Sequence, residues 1–312
     1  MSLLDDSRMM IKVSKLYYQE EISQSEIAKK LNLSRPTVSR YLNNAKKKGI
    51  VEIQINENNL SEIEKLIEEK YDIQEAICIR NKHNLKTALG KEASDYLLRN
   101  IRNGNTIALS AGTTVDKVVK NFPVTKSYSD TLLIPLVGGM GNVSIDIHAN
   151  HIVDTFRNKL GSKSMFLHAP VVVDDSYSKR FIMNQKFVKK ITDLYKNTDI
   201  SIVGIGSRPM DSTMVAAYSD ELGINDLSND EAIGDIFYNF IDKEGKKIEC
   251  EWNARVMSIS FEDYKQIPLK IAVAGGVEKV EAINAALKNK LVDVLIIDED
   301  TAINMLNDKK TS

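Results

Sequence analysis

Cysteine is nearly absent. Cys78 and Cys250 are the two thiols in 312 residues, and neither stands in a CxxC pair or beside a histidine. That excludes a disulfide framework, argues against a structural zinc site and fits a reducing cytoplasm. Histidine is sparse too. His148 and His151 lie three apart on a predicted helix, but His83 and His168 are remote in sequence and no third ligand is evident, so no metal is expected. No run approaches the roughly 20 apolar residues of a membrane span. The opening "MSLLDDSRMM" carries two acids and no long apolar run, which argues against a secretory signal. Neither a full GxGxxG nor a Walker motif occurs, so neither a dinucleotide nor a nucleoside triphosphate is indicated and no cofactor is expected. Internal repeats and low-complexity segments are missing as well. The single tryptophan, Trp252, reads as a core residue.

Hydrophobic residues make up 43% of the chain and charged residues 27%, enough for a real core. The length exceeds the roughly 100–200 residues of one domain. The formal net charge of −1 conceals an asymmetry. Residues 1–55 hold 10 Lys/Arg and 6 Asp/Glu, whereas the remainder holds 32 and 37. A small basic head on an acidic body points to a polyanion partner for the head alone.

Three helices are predicted in the head. The first spans residues 9–20, with Val13, Leu16 and Tyr17 at helical spacing. Ser23 and Glu26 form a capping-box pair that opens a second helix over residues 24–31. Asn32-Leu33-Ser34 breaks it. Ser34 caps the third helix, Pro36 is tolerated in its first turn, and Gly49 stops it. Val38, Leu42 and Ala45 are its buried stripe. A short helix, a tight turn and a second short helix make a helix-turn-helix. Arg35, Thr37, Ser39, Arg40 and Asn43, with Ser34 at the start, are left outward, a set suited to phosphate oxygens and major-groove base edges. Lys46, Lys47 and Lys48 follow, placed for backbone phosphates. "IVEIQINEN" then alternates as an edge strand or wing, and the domain boundary is expected near Asn56, giving a head of residues 1–55 and a body of residues 56–312.

In the body, helices alternate with short apolar runs: "EAICIR", "TIALS", "TLLIPLV", "SMFLHAPVV", "DISIVGIG", "KIAVAGG" and "VDVLIID". Near-continuous apolar runs mean strands buried on both faces, hence a largely parallel, doubly wound α/β sheet. Ligands collect at the carboxyl ends of such strands. Those ends read Ser110, then Gly112-Thr113-Thr114; Gly138-Gly139-Met140-Gly141-Asn142; Gly206, Ser207 and Arg208; and Gly275-Gly276 followed by Lys279. Glycine admits close backbone approach, helix starts offer free N–H groups, and hydroxyls and lysine add anion ligands. Together they describe a site for a phosphate-bearing small molecule. Asp235 is read either as a holder of sugar hydroxyls or as a turn cap. Asp298 is read as the cap of a helix beginning near Thr301 in preference to a residue bordering the pocket.

The order and spacing of these motifs resemble the SorC family of sugar-binding transcriptional regulators, above all its branch of deoxyribonucleoside regulators from Gram-positive bacteria. The likeness runs through "YYQEEISQSEIAKKLNLSRPTVSRYLNNAKKKGIVEIQI" and then "SAGTT", "LVGG", "VGIGS", "GDIFYNFIDKEG", "VAGGVEK" and "VLIIDEDTA", essentially the whole chain. The resemblance implies an effector domain similar to sugar-phosphate isomerases and tetramers bound to operator DNA, with a phosphorylated sugar altering that binding. By position it implies Gly112, Thr113, Thr114 and Lys279 as phosphate ligands. It implies Gly138, Gly139, Gly206, Ser207 and Asp235 as the sugar side. Some members carry lysine immediately before the paired glycines, where it could form a Schiff base; here that residue is Val137. The resulting expectation is a cytoplasmic, metabolite-responsive repressor of carbohydrate or nucleoside catabolism. The rival reading is a sugar-phosphate isomerase or deaminase with an accessory head, against which no convincing acid/base pair sits among the glycine turns. A plain oligomeric scaffold would leave those turns unexplained.

Overall fold

The computed structural model describes residues 6–52, 59–80, 83–139, 147–209 and 231–307. Contacts divide the chain into two compact units, Met1–Glu57 and Asn58–Ser312.

The first unit holds α1 (Ser7–Tyr18), α2 (Gln24–Lys30) and α3 (Arg35–Lys47). Each starts under a side-chain cap. Asp6 accepts from the backbone of Arg8 and Met9, Ser23 and Glu26 complete the capping box, and Ser34 Oγ accepts from Thr37 N at 3.2 Å. The α2–α3 turn follows from Asn32-Leu33-Ser34. Asn32 takes a left-handed conformation (φ 52°), and Leu33 N returns to Ala28 O at 2.8 Å, which closes a Schellman motif immediately before the next cap. Gly49 (φ 67°) ends α3 in the same way, with Ile50 N on Ala45 O. Met10, Val13, Leu16, Ile27, Ala28, Val38, Tyr41, Leu42 and Ala45 form the core, against which Ile50 and Val51 also pack. Val51 and Glu52 are not in a strand, and the rest of the expected wing, with the expected boundary, lies outside the described residues.

The second unit contains, in order, α4 (Asn59–Tyr71), β1 (Glu75–Ile79), α5 (Leu85–Asn100), β2 (Thr106–Leu109), α6 (Thr113–Asn121), β3 (Leu132–Pro135), α7 (Ala149–Leu160), β4 (Lys163–Ser164), α8 (Ser176–Met183), α9 (Lys186–Tyr195), β5 (Ile200–Gly206), β6 (Gly234–Ile236), β7 (Asn239–Ile241), α10 (Glu251–Arg255), α11 (Phe261–Lys265), β8 (Leu269–Val273), a 3₁₀ turn (Val277–Lys279), α12 (Val280–Lys288), β9 (Val294–Asp298) and α13 (Glu299–Asn307). The parallel strands run β1-β9-β8-β5-β2-β3-β4, and the β6–β7 hairpin joins β5 in antiparallel pairing. Alternate residues serve opposite faces. Val294 and Ile296 of β9, Ile271 and Val273 of β8, and Ile107 and Leu109 of β2 pack with α5, α6 and α7. Leu295, Ile297, Ala272 and Ala108 pack with α4, α9, α11, α12 and α13 on the other side. The doubly wound sheet is thus the expected one, with two differences. "SMFLHAPVV" enters the ladder only at Ser164, and the hairpin at Gly234–Ile236 and Asn239–Ile241 was not foreseen.

Strand order reverses between β2 and β5: from β2 the chain moves out to β3 and β4, and from β5 it moves the other way to β8 and β9. Helices following β2 and β8 therefore leave for opposite faces, and a crevice is left at the carboxyl ends of the strands between them.

Candidate functional site

In the head, α3 presents the expected face. Arg35, Arg40, Asn43, Lys46, Lys47 and Lys48 are exposed, and Thr37 and Ser39 are partly so. Ser34 is exposed too, but its hydroxyl is engaged by Thr37, whose Oγ1 lies 2.7 Å away. Lys46 Nζ lies 5.9 Å from the centre of the Tyr18 ring, which ties the basic end of α3 to α1. The face carries four exposed cations within one turn of its end or start and no acid, an arrangement fitted to a phosphate backbone.

In the body, the crevice at the switch point is a cavity of about 580 Å³. Ser110 enters from the end of β2, Gly206 and Ser207 from the end of β5, and Gly275 and Gly276 from the end of β8. Gly112, Thr113 and Thr114 bring the start of α6, Lys279 the start of α12, and Asp235 the hairpin strand β6. Two helical starts face it without side-chain caps. Gly112, at φ 119° and ψ 156° where only glycine is comfortable, heads α6, and Gly276 at φ 108° heads the 3₁₀ turn. An uncapped start leaves backbone N–H donors and a positive dipole end for an anion.

Asp235 lies almost wholly buried at one wall. Its carboxyl group sits over Gly206, where a Cβ would fall 1.8 Å from Oδ1, so glycine at 206 is what admits the acid. Burial pushes the carboxyl up to about 6, against the opposing pull of the Lys279 ammonium and a hydrogen bond from the Tyr238 backbone. Lys279 is itself drawn below the ordinary lysine value, first by burial, while Asp235 acts to raise it. No hydrogen bond or ion pair within 4.0 Å engages its Nζ among the described residues.

Ten of the twelve expected effector residues therefore meet in one cavity. Gly138 and Gly139 do not line it. Gly138 N donates to Met257 O and Gly139 N to Ala169 O, and a Cβ on Gly138 would fall 2.3 Å from Pro170 O. Glycine at 138 is required by that packing. Met140, Gly141 and Asn142 lie outside the described residues. Asp298 stands apart as expected: it accepts from Thr301 N and Gly276 N and so ties α13 to the β8 turn. Trp252 is core, stacked on Phe240 with Nε1 donating to Tyr238 O. The lining residues His83, Asn84, Lys86, Phe237 and Tyr238 escaped the sequence reading. They come from the start of α5 and the β6–β7 turn, places without a glycine turn to mark them. Among the described residues, no helix is long and apolar enough to cross a membrane, and no group of three metal-ligating side chains occurs.

Residues 56–307 match the family described as "Putative sugar-binding domain", and residues 16–52 match winged helix-turn-helix DNA-binding. The chain is 28% identical to the deoxyribonucleoside regulator of Bacillus subtilis, over 97% of this chain and 99% of that protein. It is 27% identical to the sorbitol operon regulator of Klebsiella pneumoniae, over 96% and 97%. The crystal structure of the full-length Klebsiella regulator SorC superposes with a TM-score of 0.73 at 26% identity, covering 97% of this chain and 99% of that one. A DeoR family regulator from Listeria monocytogenes gives 0.73 at 32% identity, over 80% of this chain and all of that one. These relatives are transcriptional regulators, and the enzyme reading falls with that finding. A helix-turn-helix head followed by a sugar-binding α/β body makes this chain a DNA-binding member of the SorC family of sugar-binding transcriptional regulators.

Proposed function

We propose that the chain is a cytoplasmic repressor of carbohydrate or nucleoside catabolism whose operator binding is altered by a phosphorylated sugar. Arg35, Arg40 and Asn43 read or flank base edges, and Lys46, Lys47 and Lys48 hold backbone phosphates. In the body, the phosphate sits at the uncapped start of α6 on Thr113 and Thr114 with Lys279, and Asp235 accepts from sugar hydroxyls beside Ser207. The observation that carries the reading is the meeting, in one cavity at the switch point, of an uncapped helix start and a lysine that makes no ion pair within 4.0 Å among the described residues. An anion-fitted wall beside a buried hydroxyl-binding acid suits a molecule that is charged at one end and polyhydroxylic at the other.

The working form is a homotetramer. One small head makes few contacts, and linked heads gain effective concentration on repeated half-sites. Coupling then requires only that effector and operator favour different arrangements of the tetramer. A thermal-shift screen of aldose and ketose phosphates against the same sugars unphosphorylated tests the effector class. Stabilisation by a phosphorylated member, with little from its parent sugar, is expected. Equal responses would remove the phosphate from the account.

A further inference from the structure

The cavity wall carries a second ammonium group, the exposed Lys86 in the first turn of α5, whose N-cap Asn84 also lines it. Its presence there traces to Gly90. A Cβ at that position would lie 2.6 Å from Lys117 Cβ and 2.8 Å from the Lys117 carbonyl carbon, so α5 and α6 approach backbone to backbone. Ser94 Oγ fastens the contact, 2.6 Å from the carbonyl oxygens of both Gly90 and Val118. Gly90 and Lys117 each lie about one turn past the start of their helix, and both starts line the cavity, so the starts lie side by side. Lys86 precedes Gly90 by four residues and therefore shares its helix face, one turn nearer that start.

The charges in the cavity give Lys86 its significance. Asp235 ionises above about 6 and then offsets Lys279, whose proton affinity it raises. Glu278, also lining the cavity, is exposed and acts on Lys279 in the same direction. Lys86 acts on Lys279 in the opposite direction, as a like charge nearby. Yet Lys86 makes no hydrogen bond or ion pair of its own among the described residues. Two neighbouring ammonium groups repel unless an anion lies between them, and a dianion answers both. We propose that Lys86 and Lys279 together clamp one phosphate dianion at the open start of α6. In this arrangement Lys86 supplies the charge by which the cavity favours a phosphate dianion over a carboxylate or a neutral sugar. The inference rests on the reading of the cavity as a phosphorylated-sugar site and adds its charge selectivity.

The test uses the full chain with inorganic phosphate as the probe, acetate as the monovalent control, pH 8 and matched ionic strength. Thermal shift is read for the parent, Lys86→Gln, Lys86→Arg and a surface control, Lys91→Gln. The expected result is a phosphate shift larger than the acetate shift in the parent, in Lys91→Gln and in Lys86→Arg. Lys86→Gln should need at least tenfold more phosphate for the same shift while its acetate response stays unchanged. An undiminished phosphate response in Lys86→Gln overturns the clamp and leaves the phosphorylated-sugar reading standing. A parent that responds equally to phosphate and acetate removes both. Should Lys86→Gln fold poorly, loss of phosphate binding in Lys86→Arg as well would mark a structural role and count against the clamp.

Discussion

The three helix starts of the head and two of the starts at the cavity are built in opposite ways. In the head, a side-chain oxygen of each of Asp6, Ser23 and Ser34 accepts from orphan backbone N–H groups. At the cavity, Gly112 and Gly276 leave those groups without a side-chain cap. A cap stabilises its helix by about 1 kcal/mol, so leaving it out forgoes stability and keeps a donor set available for an external anion. Two carboxyl groups repeat the contrast. Glu26 is held below the ordinary carboxylate value, chiefly by the Ser23 hydroxyl it accepts from. Asp235 is pushed up by burial. The head has settled its helix starts internally, whereas the cavity retains two open ones.

Closing the open start should have the largest effect. Thr113→Asp puts a carboxylate into the first turn of α6. It should leave stability unchanged or raise it by about 0.3–1 kcal/mol through the helix dipole. The same charge should oppose a bound phosphate by several kcal/mol, lowering effector affinity more than about 100-fold by calorimetry. Unchanged affinity would mean that the α6 start is not the anion site.

Asp235→Asn sharpens the contrast through pH. A carboxyl whose folded value is raised from 3.8 to about 6 makes the folded state bind more protons between those values. Stability contributed by Asp235 is therefore lost as pH rises through that window. Asparagine removes the loss, so the variant should gain up to about 3 kcal/mol over the parent at pH 8 and nothing at pH 4 in denaturant titrations. Effector affinity should fall at the same time. A gain independent of pH would rule out this origin.

On the head, Arg40→Ala should weaken operator binding by about 1–3 kcal/mol with the fold intact, since the side chain is exposed. Gel-shift titration measures it, and an unchanged affinity would remove Arg40 from the interface. The smallest effect is expected from opening a closed start. Ser34→Ala should cost about 1 kcal/mol and speed amide exchange in the first turn of α3, without affecting effector binding.

The head was legible in the sequence because its signals are local. A serine with a glutamate three residues on, an asparagine before Leu33-Ser34 and a terminal glycine each fix one turn of backbone by neighbouring groups. Strands β1, β2, β3, β5, β8 and β9 were legible as apolar runs because both faces of the sheet are covered. The β6–β7 hairpin was not. Its strands have three residues each, and its turn places Phe237 (φ 37°) and Tyr238 (φ 66°) in conformations usually given to glycine or asparagine. The packing of Phe237 against Phe261 and Tyr264 accompanies that turn and has no local signature. Gly138-Gly139 show a related ambiguity: a glycine needed for close packing and one needed for a ligand look the same in sequence. Lys86, exposed in the first turn of α5, has no local feature that marks it as a cavity residue; the Gly90 contact between α5 and α6 places it there.

The central claim is that occupancy of the cavity by a phosphorylated sugar governs the grip of the head on DNA. The most direct measurement is a fluorescence-anisotropy titration of the full chain on its operator. It is made with no sugar, with the phosphorylated sugar that most stabilises the protein, and with that sugar lacking its phosphate. The account predicts that the phosphorylated form alone changes operator Kd by about tenfold or more, equivalent to 1.4 kcal/mol of coupling. An operator Kd that stays the same under all three conditions, in a protein shown to bind the phosphorylated sugar, would contradict it.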